Sequence, residues 1–487
     1  MSIIDTIVFG LYLVLLLFLG GSFFSKNRTA TNFILGSGAI PSWVVSLSIF
    51  ATFVSSISYL ALPGSAYQSN WNPLVFSLSI PFAAFIAVRY FIPVYRKVNS
   101  PSAYTFIELQ LGKGAKFYVS ICYLVTQLIR IGTILYLLAI AINAIVGWDI
   151  FWVIVLTGVF VSIYSILGGI DAVLWTDAIQ AIVLIVGALF CLIFIVIKMP
   201  EGFSQVFSIA QENNKFSLGS FSLDFSEPTV WVVLIYGLFV NLQNFGIDQN
   251  YIQRYMVLPS QEQAQKSAFI GGLIYLPVSA LFLLLGTALF SYYHVAPNPP
   301  VHLSETTDKI FPYFIATTIP YGFSGLLIAS IFAAGMSTIS TSYNSMSTVL
   351  LTDFFSKTNK KTINEVAVLY VSTALAGVIS IIIAIGMIDV KGVLDVWWKY
   401  ASIGSGGMLG LFLVGIISPL KNNFIIALLA LFGILSILWV NVSNQNLFHP
   451  YLSIVLGTSV LFLSLIHISE PTRQAEISYS VFCFKKK

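Results

Sequence analysis

The stretch Ser46–Tyr67 reads SLSIFATFVSSISYLALPGSAY. It is long enough for a membrane helix, which needs about 20 mainly apolar residues to cross roughly 30 Å of hydrocarbon. Yet Thr52, Ser55, Ser56 and Ser58 sit in its middle. A second such run, Tyr236–Asn250, reads YGLFVNLQNFGIDQN and holds Asn241, Gln243, Asn244 and Gly246. Paired interrupted helices in corresponding halves of a chain point to a transporter built from inverted repeats. Each break frees backbone carbonyls that only a bound ion or buried water can satisfy at membrane depth. A third run, Ser330–Thr348 (SIFAAGMSTISTSYNSMST), adds Ser337, Thr338, Ser340, Thr341 and Ser342. One or two hydroxyl residues would read as helix–helix packing. Three dense clusters read as a polar cavity.

The rest of the chain is apolar. Of 487 residues, 57% are hydrophobic and 9% are charged, with a mean hydropathy of +0.91. Soluble domains carry about 25% charged residues. A soluble enzyme, a disordered scaffold and a nucleic-acid binder are excluded. The net charge of +4 implies no acidic partner. Cys122 and Cys191 lie in apolar runs and read as small buried hydrophobes. The first apolar run, Ile7 to Phe24, follows Asp5 rather than a basic segment and reads as a retained helix. Leu463–Lys487 resembles a translated sequencing-library adapter and is set aside as a non-native tail. That leaves one transmembrane domain at 1–462.

Approximate spans fall at 5–25, 41–66, 72–96, 117–147, 149–167, 172–198, 229–248, 268–293, 316–352, 364–387, 397–418 and 423–441, with a last one from 451. The expected class is an all-α polytopic membrane protein with about 13 helices. Lys and Arg accumulate on the cytoplasmic side of membrane proteins. With the N-terminus outside, Lys26, Arg28, Arg96, Lys97, Lys113, Lys116, Arg254, Lys266, Lys357, Lys360, Lys361 and Lys421 are cytoplasmic. Only Lys198, Lys215, Lys309, Lys391 and Lys399 are then external. The chain is expected to cross a membrane many times, with its N-terminus outside.

Two ionisable residues lie deep in spans. Arg130 has about ten mainly apolar residues on either side in SICYLVTQLIRIGTILYLLAIA, Ser120–Ala141. It reads as an anion clamp, because guanidinium grips a carboxylate through two parallel hydrogen bonds. The alternative is a structural charge paired to another helix. Asp177 reads as a hard ligand for a small cation, or as a helix-start residue. Besides Asp177, no second intramembrane acid stands out as a partner for Arg130.

The motifs FATFVSSIS (Phe50–Ser58), GGIDAVLWTDAIQ (Gly168–Gln180), DQNYIQRY (Asp248–Tyr255) and AGMSTIST (Ala334–Thr341) together resemble the sodium/solute symporter family. Within it they most resemble the bacterial sialic acid symporters. The resemblance covers 1–462 and implies a LeuT-type five-plus-five inverted repeat, with core repeats near 41–198 and 229–418. It implies a first sodium site of the Ala51, Val54 and Ala334 carbonyls with the Ser337 and Thr338 hydroxyls. A second site would use Asp177, Ser337, Ser340 and Thr341. Arg130 falls at the position that binds the substrate carboxylate. Ser55 and Ser58 fall where hydroxyls touch the same substrate, and Phe239 and Asn241 neighbour the pocket. Phe53 stands where a small hydroxyl residue is expected, and Ser77 where a glutamine is expected.

The function implied is sodium-coupled uptake of sialic acid by alternating access, with two Na+ per substrate. The alternative is the same coupling applied to proline, a monocarboxylate or pantothenate. Na+ is the coupling ion, and no organic cofactor is expected. The partners are a small anionic substrate and membrane lipid, with no nucleic acid and no obligate protein partner. Enzyme chemistry is not expected, since the polar clusters hold no His and no nucleophile–base pair. A channel is disfavoured, because single-copy cavities with a charged arginine suit binding and release better than a selectivity filter.

Overall fold

A computed structural model describes residues 2–24, 29–296, 309–355, 364–388, 407–417 and 448–464. The expected span at 423–441 and the first half of the span at 397–418 lie outside them, as do residues 465–487 of the tail. The described residues form helices and no strand. The membrane-crossing elements are α1 (Ile3–Ser22), the bent pair α2 (Ser42–Phe53) and α3 (Ser56–Gln68), and α4 (Asn72–Val98). A short helix α5 (Tyr104–Leu111) leads into α6 (Lys113–Val146) and α7 (Ile150–Lys198). The second half brings α8 (Val230–Ile247), α9 (Gln249–Val257), α10 (Gln261–Val295), α11 (Phe323–Phe355) and α12 (Glu365–Gly386). Shorter apolar helices α13 (Gly407–Ile417) and α14 (Leu452–Ser464) follow. Among the described residues eight helices are long and apolar enough to cross a membrane, and the bent pair makes a ninth.

Helix α7 has 49 residues, about 74 Å at 1.5 Å per residue. No bilayer accommodates that as one crossing. Gly169 adopts φ 54° and ψ −156°, a conformation open to glycine, and interrupts the helix there. The interruption separates the expected spans 149–167 and 172–198.

The breaks in α2–α3 and α8–α9 have local causes. Val54 (φ −83°, ψ 120°) and Ser55 (φ −113°, ψ 171°) are extended, and the flanking helices bend by 55°. β-Branched Val54 gains little from the helix. Ser55 and Ser56 offer hydroxyls that compete with the helical ladder. In the second pair Asp248 is extended (φ −76°, ψ 123°), and its Oδ1 accepts the Asn250 N–H at 2.8 Å as the cap of α9.

Helix α11 is the central element. Within its most apolar window 89% of residues are buried, against 28% for α1. It packs on α7, α2, α6 and α12, while α10 lies across both α2 and α3. Glycines permit that crossing. A Cβ at Gly271 would fall 2.7 Å from the Ser46 carbonyl, and one at Gly286 only 2.1 Å from that of Pro63. Small residues let membrane helices approach closely. Gly286→Ala is therefore expected to lower stability by about 1–3 kcal/mol. Gly10→Ala on α1, whose Cβ would meet nothing within 4 Å, is expected to be neutral or slightly stabilising. Thermal unfolding of both variants in detergent checks the contrast.

At the start of α1, Asp5 reaches across to α11. Its Oδ1 accepts the Gly322 and Gly325 N–H groups at 2.6 and 3.0 Å and the Ser324 hydroxyl at 2.6 Å. Its Oδ2 accepts the Ser2 N–H and hydroxyl at 2.9 and 2.8 Å. At the opposite end of α11, Lys116 bridges Glu108 at 3.0 Å and Asp353 at 2.9 Å.

Candidate ion and substrate site

The break in α2–α3 faces the hydroxyl-rich middle of α11. With residues 54 and 55 extended, the nearby carbonyls leave the helical ladder. Ser337 Oγ donates to the Ala51 carbonyl at 3.3 Å and to the Ala334 carbonyl at 3.2 Å. Thr338 Oγ1 donates to the Val54 carbonyl at 3.4 Å and to the Ala334 carbonyl at 3.5 Å. These contacts are long, since hydroxyl–oxygen bonds cluster near 2.7–2.8 Å. All five residues expected at the first cation site meet in one buried cluster of oxygens.

The second expected set meets only in part. Asp177 is fully buried, and its Oδ2 accepts the Ser48 hydroxyl at 2.6 Å and the Thr341 hydroxyl at 3.3 Å. Ser340 turns away and donates to the Ser337 carbonyl at 3.1 Å. The main partner of Asp177 is Arg254, whose Nη2 lies 2.6 Å from Oδ2. Arg254 also donates to Ser48 Oγ at 2.8 Å, to Thr341 Oγ1 at 2.5 Å and to the Asn250 carbonyl. Arg254, counted from the sequence among the cytoplasmic cations, is thus buried within the protein. The apolar run ends at Asp248, but the chain continues as α9, which is buried along its whole length. Asp177 Oδ1 remains buried with no hydrogen-bond partner.

Arg130 is mostly buried on α6 and has an acidic neighbour, since its Nη1 lies 3.7 Å from Asp248 Oδ2. Asp248 is thus the second intramembrane acid that the apolar pattern did not bring out. Gln127, one turn before Arg130, donates to Asp248 Oδ2 at 3.4 Å. Asn250 donates to Gln127 Oε1 at 3.2 Å and accepts the Tyr123 hydroxyl at 3.0 Å. Ser48, Gln127, Asp248, Asn250 and Arg254 carry this polar network, and none was singled out from sequence. Asp248, Asn250 and Arg254 stood inside the quoted DQNYIQRY motif, with 250 and 254 one turn apart.

The rings around this network come from both breaks and from α10. Phe53 stacks on Phe245 with centroids 5.5 Å apart, meets Tyr251 edge-on at 5.8 Å and touches Tyr275 at 4.8 Å. Ser55 starts α3, and Ser58 lies against Tyr275. Phe239 is partly buried against the core. Asn241 is turned towards α4, donating to Ser79 Oγ at 2.9 Å and to the Phe76 carbonyl at 3.3 Å. Ser77 is buried on α4, next to that carbonyl. Among the described residues no group of three or more His, Cys, Asp or Glu could hold a metal ion.

The sequence profile of the sodium:solute symporter family matches residues 33–418. The chain belongs to this family. It is 32% identical over 423 residues to the sodium/sialic acid symporter SiaT of Proteus mirabilis, covering 85% of each chain. It is 30% identical to the sodium/sialic acid symporter NanT of Aliivibrio fischeri, covering 93% of this chain and 90% of the relative. The fold superposes on a substrate-bound, outward-open structure of a Na+-coupled sialic acid symporter with a TM-score of 0.88. That match has 29% identity and covers 95% of this chain and 96% of the other. Family and fold agree with the inverted repeats expected from the two broken helices and with the LeuT type that the resemblance implied.

Proposed function

We propose that this symporter takes up sialic acid with two sodium ions per substrate, by alternating access in a bacterial plasma membrane with its N-terminus outside. The observation that carries the reading is the cluster of Ala51, Val54, Ala334, Ser337 and Thr338 oxygens at the break. Hard cations of calcium's size bind oxygens at about 2.3–2.6 Å. Oxygens placed at right angles around such an ion lie about 3.3–3.7 Å apart, close to the 3.2–3.5 Å found here. Sodium has nearly the same size and the same preference for oxygen. For the second ion, the partnerless Asp177 Oδ1 supplies an unused anionic oxygen near the Thr341 hydroxyl. Arg130 holds the substrate carboxylate. Two Na+ with one monoanion move one net positive charge inward, and a potential of about 100 mV adds about 2.3 kcal/mol per cycle.

The deciding experiment follows labelled N-acetylneuraminic acid uptake into proteoliposomes, with and without an inward Na+ gradient. Sodium-dependent accumulation is expected; equal uptake without the gradient removes the coupling. Ser337→Ala and Thr338→Ala each lose a contact to a charged partner, worth about 1.5–3 kcal/mol. Each is expected to raise the Na+ concentration for half-maximal uptake about tenfold or more. A titration of uptake against external Na+ reads the shift directly.

Phe53 favours a second substrate reading. Its ring fills space beside Phe245, Tyr251 and Tyr275 that a small hydroxyl residue would leave open. A smaller carboxylate, such as proline or a monocarboxylate, suits that narrowing, and pantothenate shares the carboxylate. Competition against labelled N-acetylneuraminic acid separates these substrates.

A further inference from the structure

Arg130 and Asp248 make an unusual pair. The side chains are 18% and 7% exposed, and their charges cancel. At 3.7 Å the contact is too long for a hydrogen bond. No described residue accepts a hydrogen bond from the Arg130 guanidinium, which carries five N–H donors. Asp248 is likewise half engaged. Oδ1 caps α9 through Asn250, whereas Oδ2 receives only the 3.4 Å contact from Gln127. Both charged groups therefore hold unused hydrogen-bonding capacity beside the break.

An incoming carboxylate that reaches Arg130 also meets Asp248. At such separations two carboxylates repel about as strongly as the guanidinium attracts. A plain carboxylate gains little. A substrate carrying a hydroxyl or ammonium group beside its carboxylate turns the repulsion into a hydrogen bond, because an ionised carboxylate only accepts.

We propose that Asp248 is a specificity-determining residue of this site: with Arg130 it selects carboxylates bearing a hydroxyl or ammonium donor on the adjacent carbon and rejects those without one. This rests on the reading of Arg130 as the partner of the substrate carboxylate. It holds for a hydroxy acid such as sialic acid and for an amino acid alike. Asp248 thereby distinguishes a dipolar substrate from a simple anion of the same size.

The test uses the full chain, purified with Na+ present, and three matched pairs of ligands. They are N-acetylneuraminic acid with its 2-deoxy-2,3-dehydro analogue, proline with cyclopentanecarboxylate, and lactate with propionate. In each pair the second member keeps the carboxylate and lacks the adjacent donor. Binding is read by Na+-dependent thermal shift over a concentration series. In the wild type, the donor-bearing member of whichever pair binds is expected to bind at least about tenfold more tightly, roughly the effect of one net hydrogen bond. Asp248→Asn keeps a residue as good at capping a helix and removes the charge. It is expected to shrink that ratio to about threefold or less, mainly by tightening the donor-free member. Asp248→Ser, a second uncharged cap, should behave alike and guards against a folding defect in either variant. An unchanged ratio in both variants, or no preference in the wild type, overturns the proposal. Binding of proline or lactate without N-acetylneuraminic acid sinks the sialic acid reading alone. A wild-type protein that binds no member of any pair overturns both.

Discussion

Arg130→Ala lowers the affinity for N-acetylneuraminic acid by at least about thirtyfold, while the protein stays folded. Truncating one member of a buried, hydrogen-bonded charge pair costs about 2–5 kcal/mol. The substrate carboxylate loses that partner outright. The fold is spared because Arg130 makes no hydrogen bond to the described residues and only a 3.7 Å ion contact to Asp248. Arg130→Lys sharpens the result. Lysine keeps the charge but lacks the planar fork, so its loss should fall between wild type and alanine. Sodium-dependent binding of N-acetylneuraminic acid, measured beside a thermal unfolding curve, checks both statements. Wild-type affinity in the alanine variant would remove the clamp.

The largest effect on stability belongs to the pair of Arg254 and Asp177. Arg254 and Asp177 are both wholly excluded from solvent and join at 2.6 Å. Arg254→Met leaves the Asp177 carboxylate without its cation, and breaking a buried pair from one side costs about 3–5 kcal/mol. Asp177→Asn strands the guanidinium in the same way, although Ser48, Thr341 and Asn250 still accept from it. The arginine variant should therefore be the less stable of the two. Removing both charges should recover part of the loss, with a coupling energy of about 0.5–3 kcal/mol from the double-mutant cycle. Thermal unfolding of the four proteins in detergent measures it. The Na+ dependence of uptake gives a second readout, because Asp177→Asn also removes the oxygen assigned to the second ion. Its Hill coefficient is expected to fall towards one.

These pairs show what could be read from the residues and what could not. Both helix breaks were legible, because hydroxyls and amides in the middle of an apolar run have few explanations. Arg130 stood out for the same reason. Ala51, Val54, Ala334, Ser337 and Thr338 came from the family resemblance, and the fold brings their oxygens together. Arg254 was hidden because basic residues beyond an apolar run are normally placed in water. The count of twelve cytoplasmic Lys and Arg residues to five external ones drops to eleven without it. Asp248 resembled an ordinary helix cap, and it is one. Its second role depends on α6 passing 3.7 Å away, a distance no local pattern encodes. The turn of Asn241 towards α4, and of Ser340 towards Ser337, likewise depends on rotamers chosen by neighbours from distant parts of the chain.

The carboxylate of Asp5 sets a rule of parity. It holds Gly322, Ser324 and Gly325 at the head of α11 while lying in the first turn of α1. Residues 2 and 322 must then share one side of the bilayer, whichever way the protein is inserted. The number of crossings between them has to be even. Counting each broken pair once and α7 as two arms about Gly169, the elements α1, α2–α3, α4, α6, both arms of α7, α8–α9 and α10 obey it. One accessibility label near residue 322 therefore reports the side of the N-terminus as well.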